Sequence, residues 1–133
     1  MEKIVVVIEK SKNHYGGYAE NVAGLYAAGN TPEDVKKDFL NAIELFKEAN
    51  DKKYWPPILK DDFEIEYKMD IPTFLSAYSR VFTKSAIERL TGINRVQLTH
   101  YSSGFRNPRP DKRRKIEQAI YTLADDLKRI HLV

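Results

Sequence analysis

The apolar positions follow two regimes that change near residue 70. Residues 4–8, Ile-Val-Val-Val-Ile, form an unbroken β-branched run, the pattern of a strand covered on both faces. Asn13-His14-Tyr15-Gly16-Gly17 reads as a turn, since glycine tolerates the positive φ of a tight hairpin. Residues 18–21 and a stretch around Leu25-Tyr26-Ala27 are predicted to pair back onto the first strand. Thr31-Pro32-Glu33-Asp34 starts a helix: a hydroxyl N-cap, a proline where no amide hydrogen is missed, and acids at the positive end of the dipole. Val35, Phe39, Ala42, Ile43 and Phe46 share one face of it, and Lys36, Lys37, Asp38 and Lys47 the other. Asn50-Asp51 closes that helix. Phe63, Ile65 and Tyr67, alternating with Glu64, Glu66 and Lys68, predict a last strand with one wet face.

Beyond residue 70 the period becomes helical. Asp70-Ile71-Pro72-Thr73 breaks the strand and opens a helix with Phe74, Leu75, Tyr78 and Phe82 on one face. Thr83 caps the next, with Ala86, Ile87 and Leu90 inward, and Gly92 ends it. Asn94 caps a third, with Leu98 and Tyr101 inward, and Gly104 stops it. After Asn107-Pro108-Arg109-Pro110 a run free of glycine and proline carries Ile116, Ile120, Leu123, Leu127 and Ile130 in a stripe, which serves as internal core or as a dimer seam. The predicted fold class is α+β: a small N-terminal β-sheet packed with one helix over residues 1–69, then an all-α domain over residues 70–133.

Charge sharpens that boundary. Residues 1–70 hold ten Lys, no Arg and fourteen Asp and Glu, a net of −4, whereas residues 71–133 hold eight Arg, four Lys and five acids, a net of +7. A basic module with every arginine of the chain is a candidate for phosphate. The 42% hydrophobic content is enough for a core and excludes a wholly disordered chain. With no cysteine, a disulfide framework, a thiol nucleophile and thiolate-held zinc are excluded. The longest apolar run is far short of the roughly 20 residues of a membrane span, and no basic and apolar leader precedes a cleavage site. The expectation is a cytoplasmic protein with no membrane partner.

The most informative stretch is residues 85–104. Two short capped helices joined at Thr91-Gly92-Ile93 predict a helix-turn-helix, whose second helix can enter the major groove of DNA. Ile93, Leu98 and Tyr101 anchor that helix, leaving Asn94, Arg95, Val96, Gln97, Thr99 and His100 as candidates for base edges. Arg95 could fork onto guanine and Val96 could meet a thymine methyl. Arg106 and Arg109 on the following loop, with Lys112 and Arg113 opening the last helix, are candidate phosphate contacts. The segment resembles the lambda-repressor-like, or XRE-type, helix-turn-helix over residues 73–120, including the closing pattern Ser103-Gly104-Phe105-Arg106-Asn107-Pro108. Arg95 and Val96 stand where many relatives carry Gln or Ser, which leaves the operator sequence open.

The N-terminal half resembles the HicB antitoxin family. The resemblance rests on a strand, a Tyr-rich hairpin and Gly24-Leu25-Tyr26-Ala27-Ala28-Gly29-Asn30-Thr31-Pro32-Glu33-Asp34-Val35 leading into an amphipathic helix. Ala23-Gly24-Leu25 replaces the family's Pro-Gly-Cys, and Asn30 replaces its Asp. The resemblance implies a degenerate RNase-H-like β-β-β-α-β module followed by a helix-turn-helix. It implies an antitoxin that binds a HicA-like ribonuclease toxin, small and basic, through its N-terminal domain, and represses its own operon by binding operator double-stranded DNA. A charge of −4 is complementary to such a toxin. Tyr15, Tyr18, Glu20, Tyr26 and Trp55 are the expected toxin contacts, although Trp55, in Lys52-Lys53-Tyr54-Trp55-Pro56-Pro57, also reads as a lid on the core. The expected state is a homodimer or higher homo-oligomer, with no cofactor and no catalysis.

Two other readings stay open. One is a transcription regulator whose N-terminal domain senses a small ligand. The other is a metal-dependent nuclease, because an active RNase H fold holds two metal ions with about four carboxylates. Glu2, Glu9, Glu20, Asp61, Asp62, Glu64 and Glu66 are the candidates, yet Glu64 and Glu66 read as the wet face of a strand. His14, His100 and His131 are too scattered for a metal cluster, and neither a P-loop nor a GxGxxG is present.

Overall fold

Alternation governs the first strand. A computed structural model describes all 133 residues, and in it β1 (Glu2–Lys10) buries Ile4, Val6 and Ile8 completely while Val5 and Val7 are half-buried. The expectation of a strand covered equally on both faces is corrected, because side chains point to opposite faces in turn and a helix covers one face. With β2 (Tyr15–Ala19), β3 (Tyr26–Gly29) and β4 (Phe63–Met69), it forms a sheet of order β3-β2-β1-β4. β1 runs antiparallel to β2, and β2 to β3; β1 and β4 are parallel, with Ile4 opposite Ile65 and Val6 opposite Tyr67.

Parallel neighbours need a crossover. It is supplied by α1 (Pro32–Ala49), a 3₁₀ turn at Lys52–Tyr54 and the one-turn α2 (Pro57–Lys60). Thr31 Oγ1 accepts the Asp34 N–H at 3.1 Å and Pro32 occupies the first turn, as the start signal predicted. Val35, Phe39 and Ile43, four residues apart, then meet Ile4, Val6, Ile8 and Leu59 in one core. Each such side chain contributes about 1.5–3 kcal/mol by leaving water.

Gly17 has a packing role rather than the expected turn role. It lies within β2, and a Cβ there would sit 2.8 Å from Val35 Cγ1, so only a residue without one lets α1 approach. The turn before β2 is closed instead by the Ser11 N–H donating to His14 O at 2.8 Å.

The chain divides into two compact units, Met1–Thr73 and Phe74–Val133. The boundary expected between residues 69 and 70 falls four residues later. Asp70 Oδ1 accepts the Thr73 N–H at 2.8 Å, and Thr73 Oγ1 accepts the Lys10 N–H at 3.2 Å, which ties the first turn of α3 (Ile71–Ala77) to the sheet unit. The expected helix through Phe82 stops at Ala77. Phe82 still reaches the ring of Phe74, at 6.2 Å between centroids, because its N–H donates to Tyr78 O and closes a turn.

The second unit continues with α4 (Lys84–Thr91), α5 (Arg95–Ser103) and α6 (Pro110–Lys128). Leu75, Ile87, Ile93, Leu98, Tyr101 and Ile116 are buried there. Leu90, expected inward, is 40% exposed, and Leu127 and Ile130 are more than half exposed. The C-terminal stripe is therefore core only at its beginning. No helix is long and apolar enough to cross a membrane.

Candidate nucleic-acid interface

Four side-chain caps and stops set the two helices of residues 84–103. Thr83 Oγ1 accepts from the Ala86 N–H at 3.1 Å and opens α4; Gly92, at φ 77°, ends it and donates its N–H to Glu88 O at 2.7 Å. Asn94 Oδ1 accepts from the Gln97 N–H at 2.8 Å and opens α5, which Gly104 ends at φ 79°. Between the helices the buried Thr91 hydroxyl donates to Ile87 O at 2.7 Å and accepts the Ile93 N–H at 3.1 Å. This stitch fixes the turn and seats Ile93 in the core. Its signal in the sequence is a threonine one residue before the stop glycine.

The six base-edge candidates divide. Arg95, Val96 and Thr99 are exposed, with Val96 67% open to solvent. Asn94 is exposed, but its side-chain oxygen is taken by the cap. Gln97 is half-buried and its Nε2 donates to the Tyr101 hydroxyl at 3.0 Å. His100, expected outside, is also half-buried: its ring lies 5.0 Å from that of Phe105, because Gly104 turns the chain back over the end of α5. His100 Nδ1 is buried without a partner.

Arg95 has neighbours that a local pattern does not announce. Glu88 accepts the Arg95 backbone N–H at 3.1 Å and lies 3.4 Å from its Nε, and Arg95 Nη1 donates to Ser85 Oγ at 3.2 Å. Seven residues and a turn separate Glu88 from Arg95, so neither helix pairs them by i,i+4 spacing.

The phosphate candidates also divide. Arg106, Arg109 and Lys112 line a cleft of about 440 Å³ with Gln97, Tyr101, Asn107 and Asp111. Arg113 is exposed and is not among the lining residues. None of the four cations is in an ion pair. The cleft also receives the N-terminus of α6, where Arg109 occupies the N-cap without a side-chain cap and Pro110 follows. Unsatisfied amides and the positive end of a helix dipole favour an anion at such a place.

The five toxin candidates fall on opposite sides of the sheet. Tyr18 lies directly opposite Tyr26 on the face away from α1, and Glu20 is held by Lys68 at 3.0 Å. Tyr15 and Trp55 instead pack against the core. The Trp55 indole N–H donates to Asn50 O at 2.9 Å and Lys47 Nζ lies 5.2 Å from its ring, which makes it a lid. The carboxylates weighed for a metal do not converge: no three His, Cys, Asp or Glu residues are grouped to hold an ion.

Compared with known proteins, the chain matches no family model, no curated protein and no solved structure.

Proposed function

We propose that the chain is a HicB-type antitoxin and autorepressor, in which a partial RNase-H-like sheet module binds a HicA-like ribonuclease toxin and a lambda-repressor-like helix-turn-helix binds operator DNA as a dimer. The observation that carries the DNA half is the cationic cleft of Arg106, Arg109 and Lys112 at the N-terminus of α6, alongside α5 with Arg95, Val96 and Thr99 exposed. Phosphates in that cleft fix the register, and α5 then offers its exposed residues to base edges.

Magnitudes decide whether Arg95 is available. Its pair with Glu88 is exposed and worth about 0.2–1 kcal/mol, whereas a fork onto guanine is worth about 1–3 kcal/mol. A guanine at that position therefore draws Arg95 from Glu88. The antitoxin half is supported by the β-β-β-α-β order, interrupted only by the 3₁₀ turn at Lys52–Tyr54 and the short α2, and by the −4 charge of residues 1–70. Tyr18, Glu20 and Tyr26 on the open sheet face are the toxin contacts of this reading. Tyr15 and Trp55 support them from the core side.

The test of the DNA half is a binding series against duplex from upstream of the chain's own gene at several salt concentrations. Arg109→Ala weakens every sequence alike and lowers the salt slope by about one, while Arg95→Ala relaxes base preference by about 1–3 kcal/mol. A series with no preferred site removes the autorepressor. For the other half, the full chain used as bait in its native host retains a small basic ribonuclease, identified by mass. Retention of no such protein removes the antitoxin.

A further inference from the structure

We propose that a second copy of this chain docks antiparallel along α6, with Lys115 of each copy paired to Asp126 of the other. A groove of about 490 Å³ runs between the end of α4 and the adjacent side of α6, with Leu90 and Leu123 in its walls. Lys115, Ala119, Thr122 and Asp126 line it at spacings of four, three and four residues, the alternation of a helix seam. The ends of that seam carry opposite charges, and neither Lys115 nor Asp126 has an ion-pair partner within the chain.

Turning a copy end for end about the point between Ile120 and Tyr121 sets Lys115 opposite Asp126 and Ala119 opposite Thr122. The same rotation repeats both contacts on the other side, as a two-fold interface requires. Parallel docking would instead set lysine against lysine and aspartate against aspartate, which repels. Small side chains at Ala119 and Thr122 permit helix axes to approach to about 8 Å. At that distance Leu90 and Leu123 of both copies leave water. The pairing stands on the charges and spacing of α6 and does not depend on DNA binding.

The experiment is the mass of the full chain in solution by light scattering at tens of micromolar. Lys115→Glu alone and Asp126→Lys alone each place two repulsive contacts in the interface, so each variant falls to half the wild-type mass. An equimolar mixture of the two variants regains the full mass, because the two substituted positions then face each other with opposite charges, while Asp126 of the first variant meets Lys115 of the second. Circular dichroism on each variant checks that the exposed substitutions leave the fold intact. A monomeric wild type, single variants of unchanged mass, or a mixture that does not reassemble would each overturn the proposal.

Discussion

In the sheet unit, several of the lysines are engaged within the unit. Lys68 meets Glu20, Lys3 meets Glu66, Lys36 lies 4.7 Å from the ring of Tyr67 and Lys47 lies 5.2 Å from that of Trp55. In the helical unit, Arg106, Arg109, Lys112 and Arg113 have no carboxylate partner, and Val96 and Phe105 are about 70% exposed. The contrast is physical before it is functional. A sheet covered by one long helix closes a continuous core of ten buried residues, whereas short capped helices are held by a few deep anchors and leave whole faces for other molecules. The first arrangement makes a scaffold; the second leaves unpaired cations where an anion can settle.

The strongest way to break this comparison is to show that the two cores are one. Phe39→Ala should cost the sheet unit about 3–5 kcal/mol, and Leu98→Ala should cost the helical unit about 2–5 kcal/mol, since both side chains are completely buried. The single tryptophan, Trp55, packs on the sheet unit's core and reports on that unit alone. Urea unfolding followed by its fluorescence should shift for Phe39→Ala and stay in place for Leu98→Ala. Equal shifts would mean that the units unfold together.

A smaller effect sharpens the account of the sheet. Gly17→Ala places a methyl 2.8 Å from Val35 Cγ1 and should destabilise by about 1–3 kcal/mol. If close approach is the cause, adding Val35→Ala recovers part of that loss even though Val35→Ala alone is destabilising. A strictly additive pair, measured as a double-mutant cycle, would point to the strand rather than the contact.

Legibility in the sequence followed the range of the interaction. Thr31, Thr83, Asn94, Gly92 and Gly104 act within a few residues of themselves, and each was readable from its neighbours alone. The role of Gly17 depends on Val35, which lies 18 residues away, and a glycine pair shortly after an asparagine reads locally as a turn. The candidate interface divided in the same manner. Cationic residues near the start of α6 were visible as composition, but the inward turn of His100 required Phe105 to fold back over it. The tie between Arg95 and Glu88 required two helices to meet.

That tie supplies the next test on the helical side. Glu88 puts a negative charge beside the N-terminus of α5, where the proposed phosphate backbone passes. Glu88→Gln keeps an oxygen for the Arg95 N–H and removes the charge, so the fold loses no more than the pair's ~0.2–1 kcal/mol. Affinity for duplex should rise roughly two- to fivefold, the equivalent of about 0.3–1 kcal/mol for one charge at a helix end. The gain should shrink as salt is added. An unchanged affinity at low salt would mean that nucleic acid does not approach the start of α5.

The smallest expected effect concerns the sheet unit at high pH. Burial raises the Tyr67 phenol above its ordinary value of 10.0, because the charged phenolate is poorly solvated among the residues packed on the sheet's core. The folded chain holds this proton more tightly than the unfolded chain. Tyr67 therefore contributes fully to stability below pH 10 and loses that contribution as pH rises through the folded value. Tyr67→Phe has no proton to lose, so its unfolding midpoint, followed by Trp55 fluorescence between about pH 9 and 11, should fall less steeply than that of the wild type. A slope as steep for Tyr67→Phe as for the wild type would mean that the buried phenol is not the group whose ionisation weakens the sheet unit.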